Sequence, residues 1–189
     1  MNTRKGSILF ITILLLVSIT LVSGCMDNGN NGENSRTVKS GDTVQVDYTG
    51  MFENGTVFDT SKEEVAKKAG LYVDGKNYTP LTFVVGSGQV IQGFDEGIVG
   101  MKVGEEKTLK ISPEKAYGKY DETKILAIPI KELNLTNLSE LPKAGQTISD
   151  TYGNRFKVKS VNNTHIIIDA NNELAGKTLI FDIKLVSIE

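Results

Sequence analysis

The sequence predicts an α+β fold: an antiparallel sheet on one short helix, with a smaller β-rich segment inserted before the last strand. Three observations carry this. Apolar residues alternate at 43–48, 81–85, 107–112 and 177–188, the period of half-buried strands. Ile91, Phe94 and Ile98 recur instead at i, i+3 and i+7, one face of a helix, between a Gly86-Ser87-Gly88 turn and Gly100. Finally, 107–112 has a natural antiparallel partner in 177–188, so the chain between them leaves the sheet and returns to it.

The N-terminus reads as an address. Arg4 and Lys5 precede an apolar run from Ile8 to Val22, and Val22-Ser23-Gly24-Cys25 follows. A basic start, a greasy middle and small residues at the end describe a secretory signal peptide over 1–24. The small residues ending in cysteine resemble the lipobox of prokaryotic lipoproteins, which implies cleavage after Gly24 and a lipid on Cys25. The alternative is an uncleaved anchor, for which the run is shorter than the ~20 apolar residues of a spanning helix. Either way the remainder is expected at the extracytoplasmic face of the cell membrane. Residues 25–37 are Asn/Gly-rich and nearly without apolar side chains, a flexible tether.

From Val38 the elements follow in order. Val44, Val46 and Tyr48 share one face of a strand, and Asn54-Gly55 is a hairpin signal before a short return over Val57–Thr60. Lys62–Lys68 reads as an exposed helix with Glu63–Lys67 and Glu64–Lys68 pairs, stopped by Gly70. Asp74-Gly75 is a turn, and Leu81, Phe83 and Val85 then share a strand face. Lys102–Gly104 turns into a strand with Leu109 and Ile111 inward. Ser112-Pro113 then starts a helical turn, the serine hydroxyl as N-cap. Residues 121–170 form the inserted segment: an apolar-rich stretch, Leu126–Leu141, then strands Arg155–Val161 and His165–Asp169 joined at Asn162-Asn163-Thr164. The last strand carries Leu179, Phe181, Ile183 and Leu185 on one face.

Composition excludes more than it suggests. The 189 residues carry 21 basic and 23 acidic side chains, with no basic run after Lys5, so nucleic acid is not an expected partner. One cysteine and one histidine, His165, rule out an internal disulfide and a Cys/His zinc site and argue against a catalytic triad. Gly86-Ser87-Gly88 lacks the lysine of a phosphate loop, and no carboxylate run resembles a calcium loop. No cofactor and no metal are expected. One reaction suits such an inventory. Rotation about an X–Pro bond breaks no covalent bond and faces a barrier of about 18–20 kcal/mol from amide resonance. A dry aromatic cavity with a few oriented donors favours the twisted amide.

Six segments sharpen this: Val46-Asp47-Tyr48-Thr49-Gly50, Gly55-Thr56-Val57-Phe58-Asp59-Thr60-Ser61, Val90-Ile91-Gln92-Gly93-Phe94-Asp95-Glu96-Gly97, Val103-Gly104-Glu105, Ala116-Tyr117-Gly118 and Leu179-Ile180-Phe181-Asp182. In this order they resemble the FK506-binding proteins, the FKBP-type peptidyl-prolyl cis–trans isomerases. The segment at 121–170, with Tyr120-Asp121-Glu122 before it and Asn171-Asn172-Glu173-Leu174-Ala175-Gly176-Lys177 after it, resembles the insert-in-flap domain of the SlyD-like branch. The resemblance implies an FKBP-like sheet over 38–120 and 171–189. It also implies a proline pocket walled by Tyr48, Phe58, Val90, Ile91, Tyr117 and Phe181 and floored by Phe94. Tyr117 would offer its hydroxyl and Ile91 its backbone N–H, Asp59 would orient neighbours or polarise the amide, and Leu81 and Phe83 would sit on the rim or just behind. Phe83 also reads as core. Phe94 stands where many relatives carry tryptophan. The implied partners are unfolded or proline-containing polypeptides, held by a monomer that is tethered to the membrane through its lipid and acts as isomerase and chaperone. The competing reading is a non-catalytic holdase on the same fold.

Overall fold

The computed structural model describes residues 36–132 and 141–189. The expected signal peptide, Cys25, most of the tether and part of the apolar stretch at 126–141 lie outside the described residues. In chain order the elements are β1 (Thr43–Phe52), β2 (Val57–Thr60), α1 (Glu63–Ala69), β3 (Leu81–Val84), α2 (Gln92–Ile98), β4 (Glu106–Ile111), β5 (Ile125–Pro129), β6 (Thr147–Ser149), β7 (Arg155–Val161), β8 (His165–Asp169) and β9 (Leu179–Ile188). This is the expected α+β class, with an FKBP-like antiparallel sheet and little helix.

β1 is the spine of the main sheet. One edge pairs with β3 over Thr43–Val46 and with β2 over Thr49–Met51; the other runs along β9, which pairs in turn with β4. Every pairing is antiparallel. The period-two pattern becomes a buried face: Val44 and Val46 on β1, and Leu179, Phe181, Ile183 and Leu185 on β9. α2 lays Phe94 and Ile98 onto that face. The helix comes close because it has no side chains where it meets β4. A Cβ on Gly93 would strike Ile111, and one on Gly97 would come 2.5 Å from Leu109 Cδ1. Its N-terminus is held to the preceding turn by Asp95, whose two carboxylate oxygens each accept the Gly86 N–H at 2.9 Å.

Three local expectations need correction. Ser112 does not cap a helix with its side chain. Pro113–Lys115 is a single 3₁₀ turn, and the Ser112 side chain makes no capping bond to it. Of the two pairs expected on α1, only Glu63–Lys67 closes among the described residues, at 2.7 Å, while Gly70 ends the helix in a left-handed conformation. Leu81 does not share the buried environment of Phe83 and Val85. It opens β3 and is 36% exposed, against 3% for each of the other two.

Residues 125–169 build a second antiparallel sheet in the order β5-β8-β7-β6, with Val158, Ile166 and Ile168 at its centre. The chain enters and leaves it through paired crossings. Asn171 acts there as a substitute strand: its amide accepts the Asp121 N–H at 2.9 Å and donates to the Asp121 carbonyl at 2.9 Å. The Gly176 N–H adds a bond to the Gly118 carbonyl at 2.8 Å. Tyr120 donates to Asp169 at 2.6 Å and accepts from Lys159 at 3.2 Å.

Candidate active site

Four aromatic rings meet over the middle of the main sheet. Phe181 on β9 is their hub, its centroid 5.3 Å from Phe94, 5.7 Å from Phe58 and 6.3 Å from Tyr48. Phe94 and Phe58 both meet it nearly perpendicular, at 87° and 89°, an arrangement favoured by ring quadrupoles. Phe94 is 3% exposed and forms the floor, edge-on to Tyr48 at 6.3 Å. Val90 and Ile91 pack half-buried against the same cluster.

Register explains how Phe58 reaches the site. Gly50 pairs with Asp59 and Met51 with Val57, so Phe58 is the extra residue of a β-bulge. A bulge re-aims the side chain it carries. The Phe58 ring swings over Gly50, where a Cβ would lie 2.8 Å from both Phe58 Cζ and Phe181 Cε1. Gly50 is therefore part of the site by having no side chain.

The polar part hangs from the same two strands. Tyr48 donates its hydroxyl to Asp59 Oδ2 at 2.7 Å. Burial pushes the Tyr48 phenol well above its ordinary range, and the Asp59 bond and charge push the same way. The phenol stays a donor. The other Asp59 oxygen accepts the Thr60 N–H at 2.9 Å and lies 3.4 Å from Lys76 Nζ. Thr60 and Ser61, both buried, fix this geometry from below. Thr60 Oγ1 donates to the Tyr48 carbonyl at 2.8 Å, and Ser61 Oγ accepts the Tyr48 N–H at 3.0 Å while donating to Asp47 at 2.9 Å.

Two donors are left. Ile91 spends its carbonyl on the N–H groups of Phe94 and Asp95, but among the described residues no acceptor reaches its own N–H. Tyr117 follows the 3₁₀ turn, 43% exposed, close enough that its phenol adds to the shift of Tyr48. Tyr48, Phe58, Asp59, Phe94 and Phe181 are thus in direct mutual contact or within one ring of it, with Val90, Ile91 and Tyr117 around them. Phe83 and Leu81 were expected on the rim or just behind it. Phe83 is buried behind Phe94, centroids 5.9 Å apart. Leu81 sits at the exposed start of β3, paired with Val46. Sequence reasoning assigned nothing to Gly50, Thr60, Ser61 or Lys76. A glycine inside a strand is the one cue among them, since it marks close approach.

A half-wrapped antiparallel sheet, a short helix across it and an aromatic basket at their junction define an FKBP-type isomerase. Comparison with known proteins gives the same family: the model for the FKBP-type peptidyl-prolyl cis-trans isomerases matches residues 34–186. The chain is 43% identical over 152 residues, 80% of its length and 94% of the relative's, to the short-type peptidyl-prolyl cis-trans isomerase of Methanocaldococcus jannaschii. It is 43% identical over 94 residues to FK506-binding protein 2 of Yarrowia lipolytica and 34% over 107 to the FKBP-type isomerase SlyD of Helicobacter pylori. It covers just over half of each of these two, 56% and 57%. The chain belongs to this family, and its activity is peptidyl-prolyl cis–trans isomerisation.

Proposed function

We propose that the basket around Phe94 is where X–Pro bonds are turned, and that the chain works as a lipid-tethered folding catalyst on the extracytoplasmic face of the membrane. The observation that carries the site is the Tyr48–Asp59 hydrogen bond set at the edge of three packed phenylalanine rings. The barrier to rotation is loss of amide conjugation. Dry rings favour the less polar twisted amide over the planar one, whose dipole is better solvated by water. In this reading Phe58, Phe181 and Tyr48 wall the proline and Phe94 carries it. The Ile91 N–H and the Tyr117 hydroxyl hold substrate carbonyls on either side of the turning bond. Asp59 keeps Tyr48 in one orientation and sets the field that the twisting amide feels. No proton leaves the substrate, so nothing here has to titrate near neutrality.

The chaperone role belongs to residues 121–170, a SlyD-like insertion. It is supported by apolar side chains exposed on that segment: Leu126 at 41%, Leu141 at 40% and Tyr152 at 90%. Such surface suits transient capture of unfolded chain, with the basket turning its prolines. The tether rests on residues 1–25, where the signal-like run ends in Cys25. If Cys25 carries lipid, Cys25→Ser frees the protein from membranes; retention in the membrane fraction would favour an uncleaved anchor.

The decisive measurement is proline-limited refolding of an unfolded protein, a step of tens to hundreds of seconds uncatalysed. The full chain is expected to accelerate it, and Tyr117→Ala to reduce that acceleration by about tenfold or more. Tyr117 is too exposed for its loss to unfold the protein. The same exposed apolar side chains support a holding role beside turnover, which suppression of aggregation by the full chain would read.

A further inference from the structure

A cleft of about 710 Å³ opens beside the basket between the two sheets. One wall is apolar and belongs to the main sheet: Phe52, Val57 and Phe58, with Leu71 from the loop after α1. The other is β7, and its sequence, Arg155-Phe156-Lys157-Val158-Lys159, alternates. Phe156 and Val158 pack into the second core, which puts Arg155 and Lys157 on the opposite face, and Lys159 is the extra residue of a bulge between Val158 and Ser160. Arg155 and Lys157 line the cleft, and Lys159 closes over Tyr120, its ammonium 5.7 Å from the ring centroid. Across the gap Lys177 stands 4.6 Å above the Phe52 ring.

Among the described residues no carboxylate lies within ion-pair distance of Arg155, Lys157 or Lys177. Two carboxylates share the lining, Asp169 and Glu173. Asp169 is already engaged: one oxygen accepts from Tyr120, the other from the Asn171 N–H and side-chain amide. Three cations therefore face one uncommitted carboxylate in a protein whose formal net charge is −2.

We propose that this cleft selects the substrate: it takes an extended polypeptide segment with acidic side chains at alternate positions, continuous with the proline in the basket. Continuity follows from Phe58, which belongs to both the basket and the cleft wall. Alternation follows from geometry. Neighbouring same-face residues on β7 are about 7 Å apart, and so are same-face residues of an extended peptide. The apolar wall takes the intervening side chains. This deepens the isomerase reading and rests on the basket being the proline site.

The test compares turnover by the full chain of proline peptides flanked, before or after a Leu-Pro core, by Ala-Glu-Ala-Glu or by Ala-Gln-Ala-Gln. At about 20 mM salt, one of the two acidic peptides is expected to show kcat/KM about fivefold above its glutamine counterpart. The ratio falls toward one at about 0.5 M salt, and also in Arg155→Gln/Lys157→Gln, but survives in Arg155→Lys/Lys157→Arg. Equal turnover of acidic and glutamine peptides in the wild type overturns the inference and leaves the basket standing. A second readout, fluorescence anisotropy of a labelled acidic peptide with alanine for proline, does not depend on the basket. Salt-sensitive binding lost in the glutamine variant supports the cleft, even if Tyr117→Ala shows that turnover lies elsewhere. No binding refutes it. Equal affinity for a short single-stranded oligonucleotide would also overturn it, because the surface would then be reading charge alone.

Discussion

Gly50→Ala sets two physical effects against each other. Inside a strand, alanine in place of glycine normally stabilises by about 0.5–1 kcal/mol, because the unfolded chain loses freedom. Packing opposes this. The new methyl would lie 2.8 Å from Phe58 Cζ and from Phe181 Cε1, while carbon atoms rest about 3.5–4.0 Å apart, so one ring has to move by about 1 Å. Phe181 cannot yield easily. It is 7% exposed, sits on the central strand β9 and is held by Phe94 and Tyr48. Phe58 is half-buried on its bulge, and on the side away from Phe181 it meets only the Phe52 ring at 5.0 Å among the aromatic pairs of the described residues, so Phe58 swings out. Overpacking of this kind costs about 1–3 kcal/mol, leaving a net loss of about 1 kcal/mol after the gain from alanine. The pocket suffers more than the fold, since a wall displaced by about 1 Å lowers kcat/KM by about tenfold or more. Urea unfolding and turnover of a short proline peptide read the two effects. A double-mutant cycle with Phe58→Ala identifies the ring: the stability loss disappears when Phe58 is already truncated. A Gly50→Ala protein as stable and as active as wild type would refute the reasoning, because strand propensity would then have won without the rings being disturbed.

The remaining predictions can be made more briefly. Tyr48→Phe removes the bond to Asp59, and because that carboxylate is half exposed and keeps the Thr60 N–H, the stability loss in urea is expected at about 1 kcal/mol. The variant also changes the alkaline limb. A phenol whose folded value is raised stabilises fully below its unfolded value near 10 and loses that contribution as pH climbs above it, so wild type falls more steeply there than Tyr48→Phe. On the acid side, burial opposes ionisation of Asp169, but bonds from Tyr120 and Asn171 and the charge of Lys159 hold its carboxyl below the ordinary range. Its contribution is present above the unfolded value near 3.9 and disappears as pH falls through the folded one; Asp169→Asn flattens that part of the urea-midpoint profile. Removing residues 121–170 is expected to spare turnover of a short neutral peptide and to lower it on an unfolded protein; equal loss on both would count against separate tasks for the two sheets.

What could be read from the sequence and what could not divide along a physical line. β2, β7 and β8 were expected with their observed limits, because each is bounded by its own turn chemistry: Asn54-Gly55 before one, Asn162-Asn163-Thr164 between the other two. In the second turn the Asn162 side chain accepts the Thr164 and His165 N–H groups at 2.9 and 2.8 Å, which is why asparagine there carries a local signal. The aromatic set was legible only through order of motifs, since period two places Phe181 on a buried face without saying which rings it meets. The bulge at Phe58 was not legible at all. It exists only in the register between β1 and β2, a relation between residues on two different strands, and no window on either strand contains it. Lys76 reaches Asp59 across seventeen residues for the same reason. Ser112 failed differently: Pro113–Lys115 makes only one 3₁₀ turn, and the serine side chain makes no capping bond to it. The geometry of the proposed site is carried by such non-local relations. The bulge, the bare Cα of Gly50 and the buried hydroxyls of Thr60 and Ser61 decide where two side chains point. A chain with all six motifs but a slipped β1–β2 register would keep its core and lose the basket, so prolyl turnover is a more sensitive readout of that register than any measure of stability.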